Sequence, residues 1–365
     1  MSEKIQLHKI ADHLNKLAPP GLSAEWDNVG LQLGEMQQEI SRILLTLDVT
    51  EKAIEYAIRQ KSDLIISHHP LIFRPLKSIT DTRLLRLIRE NIAVFTLHTN
   101  VDSAKQGVNH ALARRLGLQD LEFLSGETGA QLYQLSVYVP PAASDAVSKA
   151  IFRAGAGEIG NYKSCMSYYP VAGQFISQSE SKPVIGIKGE VQKVSELKLE
   201  FFVDSFNLSA AIRALKENHP YEQPVYTVIP QQRASDNYGL GLIGKLPVAR
   251  KLLDFAQDVK VKLSSSQIKL WPGQEDMNKF IQKVAVCGGS GSSLLSMVAG
   301  RADVFVSADF TYHTILDSRI PLIDAGHFHT EYPVLELLEE SLGDLGIQLE
   351  IFPRDQHEIN KLTSI

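Results

Sequence analysis

Hydrophobic positions in the first hundred residues follow two alternating patterns. Ile5, Leu7, Ile10, Leu14 and Leu17 recur at helical spacing, and Ala18-Pro19-Pro20-Gly21 ends the predicted helix. Arg42–Asp48 is a nearly unbroken apolar run, the pattern of a buried strand. Thr50 then caps a predicted helix over Glu51–Gln60, with Ala53, Ile54, Ala57 and Ile58 at helical spacing. A strand at Leu64–Ser67, a helix at Thr82–Asn91 and a strand at Ile92–His98 follow. This strand–helix rhythm implies parallel pairing through right-handed crossovers.

The pattern changes after Leu124. Tyr133, Leu135, Val137 and Val139 occupy every second position, as in a half-exposed antiparallel strand. Predicted helices at Ser144–Ala154 and Leu208–Asn218 interleave with strands at Lys198–Val203 and Val225–Ile229, which suggests a small ferredoxin-like α+β module. From Tyr238 the first rhythm returns. It predicts a helix at Leu252–Val259, a strand at Lys283–Cys287 entering a glycine-rich turn, and a helix at Ser292–Ala299. A strand at Val304–Ser307, a helix at Tyr312–Ser318 and a strand at Leu322–Ala325 follow. The expected architecture is a discontinuous α/β domain with one mainly parallel sheet built from both chain ends, residues 1–126 and 236–365. A module at residues 127–235 interrupts it.

Composition narrows the function classes. The chain has 365 residues, 44% hydrophobic and 22% charged, as expected for a soluble globular protein of two or three domains. A formal net charge of −5 supplies no general attraction to nucleic acid or to an anionic membrane. Cys165 and Cys287 lie far apart without CxxC spacing, which excludes a thiolate zinc ribbon and fits a reducing compartment. The opening amphipathic pattern lacks the apolar core of a signal peptide, and no stretch approaches the ~18 apolar residues of a membrane helix. The expected location is cytoplasmic.

The candidate chemistry sits in three short clusters: Ser67-His68-His69-Pro70, His98-Thr99-Asn100-Val101-Asp102 and Gly326-His327-Phe328-His329-Thr330-Glu331. Each follows a predicted strand, and a parallel sheet delivers the C-terminal ends of its strands to one crevice. Imidazoles and carboxylates converging there form a nitrogen/oxygen site for one or two divalent cations. His68 and His69 are adjacent, so two neighbouring cations can take one each; a pair of polar loop histidines is the alternative. Asp102 is either a carboxylate that bridges two cations or a cap for the following helix. His98 is either a ligand or a group that orients the carboxylate. His327 and Glu331 lie one helical turn apart and face the same way, with Gly326 allowing close backbone approach. His329 points elsewhere by the same spacing.

Two weaker signals accompany these. The amides of Gly288, Gly289, Ser290 and Gly291 are candidates for cradling an anion, with a plain tight turn as the alternative. His313, paired at i,i+4 with Asp317, is a candidate acid/base group or half of a surface pair.

Taken together, His68-His69-Pro70, His98-Thr99-x-x-Asp102, Ser307-Ala308-Asp309-x-x-x-His313 and Gly326-His327-x-x-Thr330-Glu331 resemble the signatures of the GTP cyclohydrolase 1 type 2 homologue family, the Nif-three-like dinuclear-metal proteins. Trp26-Asp27-Asn28-Val29-Gly30-Leu31 matches that family's opening motif, and Ser307-Ala308-Asp309 stands where members often carry Thr-Gly-Asp. The resemblance covers nearly the whole chain, and longer bacterial members carry an inserted module similar to a PII or CutA fold. It implies two divalent ions, zinc first with iron, manganese or cobalt as alternatives, held by His68, His69, Asp102, His327 and Glu331. It also implies a toroidal homohexamer with sites facing an inner cavity. The expected function is metal-dependent hydrolysis of a nucleotide or related phosphorylated small molecule, GTP among them, with His98 or His313 moving protons. The alternative is a metal-binding regulatory or scaffold protein whose inserted module senses a ligand or partner.

Overall fold

Strands from the first third of the chain build most of one sheet, and strands from the last third build most of another. The structure, a computed structural model, describes residues 4–126, 130–160, 162–235 and 237–361. It divides into two compact units, Met1–Thr128 with Tyr238–Ile365, and Gly129–Asn237. The boundaries expected at residues 127 and 236 fall on positions outside the described residues.

In the first unit a five-stranded sheet runs in the order Gln348–Ile351, Arg42–Thr46, Leu64–Ser67, Ala93–Thr96 and Gly30–Leu33. Its first three pairings are parallel and the last is antiparallel. Every residue of Leu64–Ser67 and Ala93–Thr96 is buried, which explains why these strands read as unbroken apolar runs: both faces are covered. The connecting helix Glu51–Gln60 starts where Thr50 accepts a hydrogen bond from the Ala53 amide at 3.2 Å. It packs Ala53, Ile54 and Ala57 with Leu44, Ile65, Val94 and Phe352. Each fully buried Leu, Ile, Val or Phe among them contributes about 1.5–3 kcal/mol.

A second sheet of six strands is ordered Lys269–Trp271, Leu322–Asp324, Val304–Ala308, Phe280–Ser290, Leu240–Lys251 and Gln119–Ser125. Only its pairings among Phe280–Ser290, Val304–Ala308 and Leu322–Asp324 are parallel. Successive side chains enter opposite cores. Val284, Val286, Val304, Val306 and Ile323 pack with the helices Val108–Leu116 and Leu252–Lys262. Ala285, Cys287, Phe305 and Leu322 pack on the other face with Leu294, Val298 and Phe310.

The single, mainly parallel sheet expected from the pattern is thus two large sheets and an antiparallel pair of short strands, Ile5–Gln6 with Glu39–Ile40, and only the five-stranded sheet is mainly parallel. The chain's end contributes just Gln348–Ile351 to that first sheet. Local alternation reports that a strand is buried, not which sheet it joins. The glycine-rich segment also differs from expectation: Gly288 and Gly289 lie inside Phe280–Ser290, and the helix after them is a 3-10 turn at Ser292–Leu294 followed by Leu295–Val298. No helix among the described residues is long and apolar enough to cross a membrane.

The second unit is a four-stranded antiparallel sheet ordered Tyr226–Ala234, Gln131–Val139, Val191–Asp204 and Ser167–Ile176. Leu135, Val137, Val139, Leu199, Phe201 and Val203 alternate onto one face. There they pack with Val147 and Ile151 of the helix Ser144–Arg153 and with Ala211 and Leu215 of the helix Ser205–Asn218. Asp204 caps the latter, accepting from the amides of Phe206 and Asn207 at 3.0 Å each.

Candidate metal centre

His68 and His69 follow the last residue of the strand Leu64–Ser67, and their backbone stays tied to the neighbouring strand. The His68 amide donates to the Thr46 carbonyl at 3.1 Å and the His69 amide to that of Leu47 at 2.8 Å. His98 follows the next strand, Ala93–Thr96, and precedes the short helix Thr99–Asp102. The third cluster follows Leu322–Asp324, where Gly326 at φ 84° turns the chain into the helix His327–Glu331.

One hydrogen-bond pattern repeats at all four histidines. Nδ1 of His68 lies 2.9 Å from the Leu97 carbonyl oxygen, so it is the nitrogen that carries the proton. Nδ1 of His69 bonds the Asp48 carboxylate at 2.8 Å, that of His98 bonds Asp27 at 2.8 Å, and that of His327 bonds Asp309 at 2.5 Å. With Nδ1 engaged, each ring presents Nε2 as its second nitrogen, the arrangement found at metal-ligating histidines.

For three of the rings, Nε2 faces Glu331. Nε2 of His327 is 2.9 Å from Oε1, Nε2 of His68 is 3.6 Å from Oε1, and Nε2 of His69 is 3.2 Å from Oε2. Nε2 of His68 is also 3.7 Å from Oδ1 of Asp102. The His98 ring centroid stands 5.4 Å from that of His68 and 5.6 Å from that of His69. One ligand atom each from His68, His69 and Glu331 lie within 4.8 Å of one another.

Three of these atoms are buried with no hydrogen-bond partner: Nε2 of His68, Oδ1 of Asp102 and Oε2 of Glu331. A buried polar atom left unpaired costs about 1–3 kcal/mol, more when charged. Lone pairs facing one another around a small gap fit a divalent cation, which satisfies them together.

The charges are strongly coupled. Burial disfavours the Glu331 carboxylate, but His68, His327 and His69 outweigh it and hold the group well below the usual carboxylate range. Burial opposes protonation of His69, yet its hydrogen bond to Asp48 and the charge of the Glu331 carboxylate beside it raise it to about 10. Hydrogen bonding to Glu331, against burial and aided by Asp309, raises His327 to about 9. Burial lifts Asp102 to about 6, against the pull of His68. Without a cation, protons on the imidazoles balance the carboxylates.

Gly289, at φ 62°, borders the cluster: an added Cβ would come within 2.4 Å of Glu331 Oε1 and 3.1 Å of His327 Nε2. The anion-cradle reading of Gly288, Gly289, Ser290 and Gly291 is corrected at its first two amides. The Gly288 amide donates to Asn109 Oδ1 at 2.9 Å and the Gly289 amide to Thr330 Oγ1 at 3.0 Å, so neither is open to an anion.

Asp102 does not cap the following helix, Val108–Leu116, whose start is at Gly107 without a side-chain cap. His313 is exposed on the helix Tyr312–Asp317, beside Tyr312, and makes no hydrogen bond to the described members of the cluster. His329 turns away, with Nδ1 2.8 Å from Arg354.

Asp27, Asp48 and Asp309 were absent from the candidates. All three lay within reach: Asp27 is in the Trp26-Asp27-Asn28 motif, Asp309 in Ser307-Ala308-Asp309, and Asp48 ends the apolar run Arg42–Asp48. Asp309 sits at φ 57°, a conformation Asp tolerates better than most residues.

An α/β unit whose two large sheets bring histidines and carboxylates from both chain ends to one largely buried cluster defines a candidate divalent-metal protein. The sequence profile of the family described as Duf34/NIF3 (NGG1p interacting factor 3) matches residues 5–358, and the chain belongs to that family. It is 36% identical over 352 residues to the GTP cyclohydrolase 1 type 2 homolog of Halalkalibacterium halodurans, covering 93% of this chain and 94% of that protein. It is 36% identical over 337 residues to the Bacillus subtilis protein of the same name, covering 90% of each. A solved structure, the Bacillus cereus protein related to NIF3, superposes with a TM-score of 0.85 at 31% identity, covering 100% of both chains.

Proposed function

We propose that the chain is a metal-dependent hydrolase of a nucleotide or related phosphorylated small molecule. The observation that supports this most is the set of buried, unpartnered atoms on His68, Asp102 and Glu331. In this reading His68, His69, Asp102, His327 and Glu331 hold two divalent cations, zinc first, with iron, manganese or cobalt as alternatives. Bound there, the ions supply a polarised substrate group and an acidified water. The chain's residues do the rest. Asp48, Asp27 and Asp309 fix the rings through Nδ1, and His98, oriented by Asp27, takes up or releases a proton at Nε2. A cavity of about 290 Å³ beside His69, bordered by Thr50, Arg83 and His357, gives a substrate room to approach.

Metal-loaded protein assayed against a panel of nucleotides, GTP included, tests the reading. Turnover lost in His69→Ala supports it; no turnover, or equal turnover by both proteins, contradicts it.

One observation favours a regulatory role as a second reading. The inserted unit contains a cavity of about 820 Å³ bordered by Tyr138, Glu196 and Tyr221; Glu196 is buried, and the Tyr221 hydroxyl is buried beside it. Its strands, numbered along the unit, run in the order 4-1-3-2, which supports the ferredoxin-like, PII-like reading of this module. Excising residues 129–237 leaves basal turnover in a hydrolase and abolishes ligand response in a regulator. A homohexameric ring belongs to the same proposal, and light scattering of the intact chain tests it.

A further inference from the structure

Beside the cluster lies an exposed aromatic pair that no role above uses. Trp26 is 61% exposed and Phe73 48% exposed, yet their ring centroids are only 5.7 Å apart, at 47°. Large aromatic rings left in water forgo apolar burial, and aromatic rings clustered at a surface are a form in which ligand-binding sites occur. The Trp26 ring also meets His98 edge-on, with centroids 6.0 Å apart.

The backbone behind these rings is braced. Asp27, next to Trp26, accepts from the Thr99 amide at 3.0 Å and from His98, while the Ala24 amide donates to Thr99 Oγ1 at 2.9 Å. Ile72, next to Phe73, is tied by its amide to Gln32 at 2.8 Å and by its carbonyl to Asn28 at 2.5 Å. The residues that orient a site histidine therefore also carry the platform. Pre-ordered rings stack a flat ligand without losing further conformational freedom.

We propose that Trp26 and Phe73 form a stacking subsite for a planar heteroaromatic ring of the substrate, one ring width from His98. This rests on the hydrolase reading and narrows its substrate class to molecules bearing such a ring. A π-face accepts any base, so the subsite selects for a ring over a bare sugar phosphate and discriminates weakly between purines.

The chain has two tryptophans, Trp26 and Trp271. In full-length, metal-loaded Trp271→Phe protein, Trp26 is the sole indole, and stopped-flow fluorescence reports the ring directly. GTP and ATP should quench it, and inorganic tripolyphosphate should not. By calorimetry, Trp26→Ala and Phe73→Ala should each weaken GTP binding roughly 5- to 100-fold. Trp26→Phe should recover most of the affinity. Because both side chains are exposed, the variants should keep the parent's thermal midpoint.

Absence of quenching by both nucleotides overturns the proposal, as does unchanged affinity in both alanine variants. A Trp26→Ala protein with altered assembly state and unchanged nucleotide affinity also overturns it, and assigns the pair to contact with a second copy. If nucleotides quench Trp26 but no metal-dependent hydrolysis occurs, the hydrolase reading fails and the stacking subsite stands.

Discussion

Nε2 of His68 stands 3.6 Å from Oε1 of Glu331, although the two residues belong to the first and last thirds of the chain. Three imidazoles surround this one carboxylate. Glu331→Gln keeps the shape of the side chain and removes the charge they share. Breaking a buried, hydrogen-bonded charge cluster from one side costs about 3–5 kcal/mol. Metal-free Glu331→Gln should lose stability of that order by denaturant titration; an unchanged midpoint would show that the carboxylate is not ionised against the rings.

The histidine shifts set a pH dependence with a definite sign. His69 and His327 are raised to about 10 and about 9, so protonation stabilises the metal-free fold. That contribution is complete below about pH 6.5, the unfolded value, and is lost as pH rises through 9 to 10. Cation uptake near pH 7.5 must displace these protons, so affinity should fall as pH is lowered. Calorimetry in buffers of different ionisation enthalpy should report release of more than one proton per chain, and zero release contradicts the arrangement.

Asp27 behaves in the opposite sense. Burial opposes its ionisation, but hydrogen bonds from His98 and Thr99 outweigh this and lower it to about 2. Its stabilisation, on the order of 2 kcal/mol, is present above about pH 4 and lost as pH falls toward 2. The stability gap between the parent and Asp27→Asn should therefore close over that window. Asp48→Asn, which loosens His69, should reduce metal affinity about 10- to 100-fold by competitive titration with a chelating dye.

Gly289→Ala tests the crowding at the cluster. Its Cβ would lie 2.4 Å from Glu331 Oε1, and φ 62° adds about 1 kcal/mol of strain. Metal affinity should fall at least about tenfold while Gly300→Ala, with open space around its Cβ, leaves it unchanged.

Much of the site was legible because the cue was local. His68, His98 and His327 each follow a short apolar run, the mark of a strand's C-terminal end, although the strands before His68 and His98 belong to one sheet and the strand before His327 to another. The arrangement of strands was less legible. Leu240–Lys251 carries exposed residues through its second half and was not recognised as a strand. Gln119–Ser125, with Gln119, Asp120 and Glu122 exposed, was also missed. Their pairing depends on partners far away in sequence. The glycines at 288 and 289 misled for a related reason: their amides find acceptors on Asn109 and Thr330, which no local pattern reveals. Asp48 and Asp309 act only through the histidines they hold, so spacing alone gave them no visible role.

Elemental analysis of the protein purified without added metal, alongside Glu331→Ala and His68→Ala, addresses the shared cluster most directly. Divalent metal near two equivalents per chain in the parent, falling sharply in both variants, is the predicted result. Equal metal content in all three proteins, or none in the parent after incubation with zinc, would contradict a centre assembled from both ends of the chain.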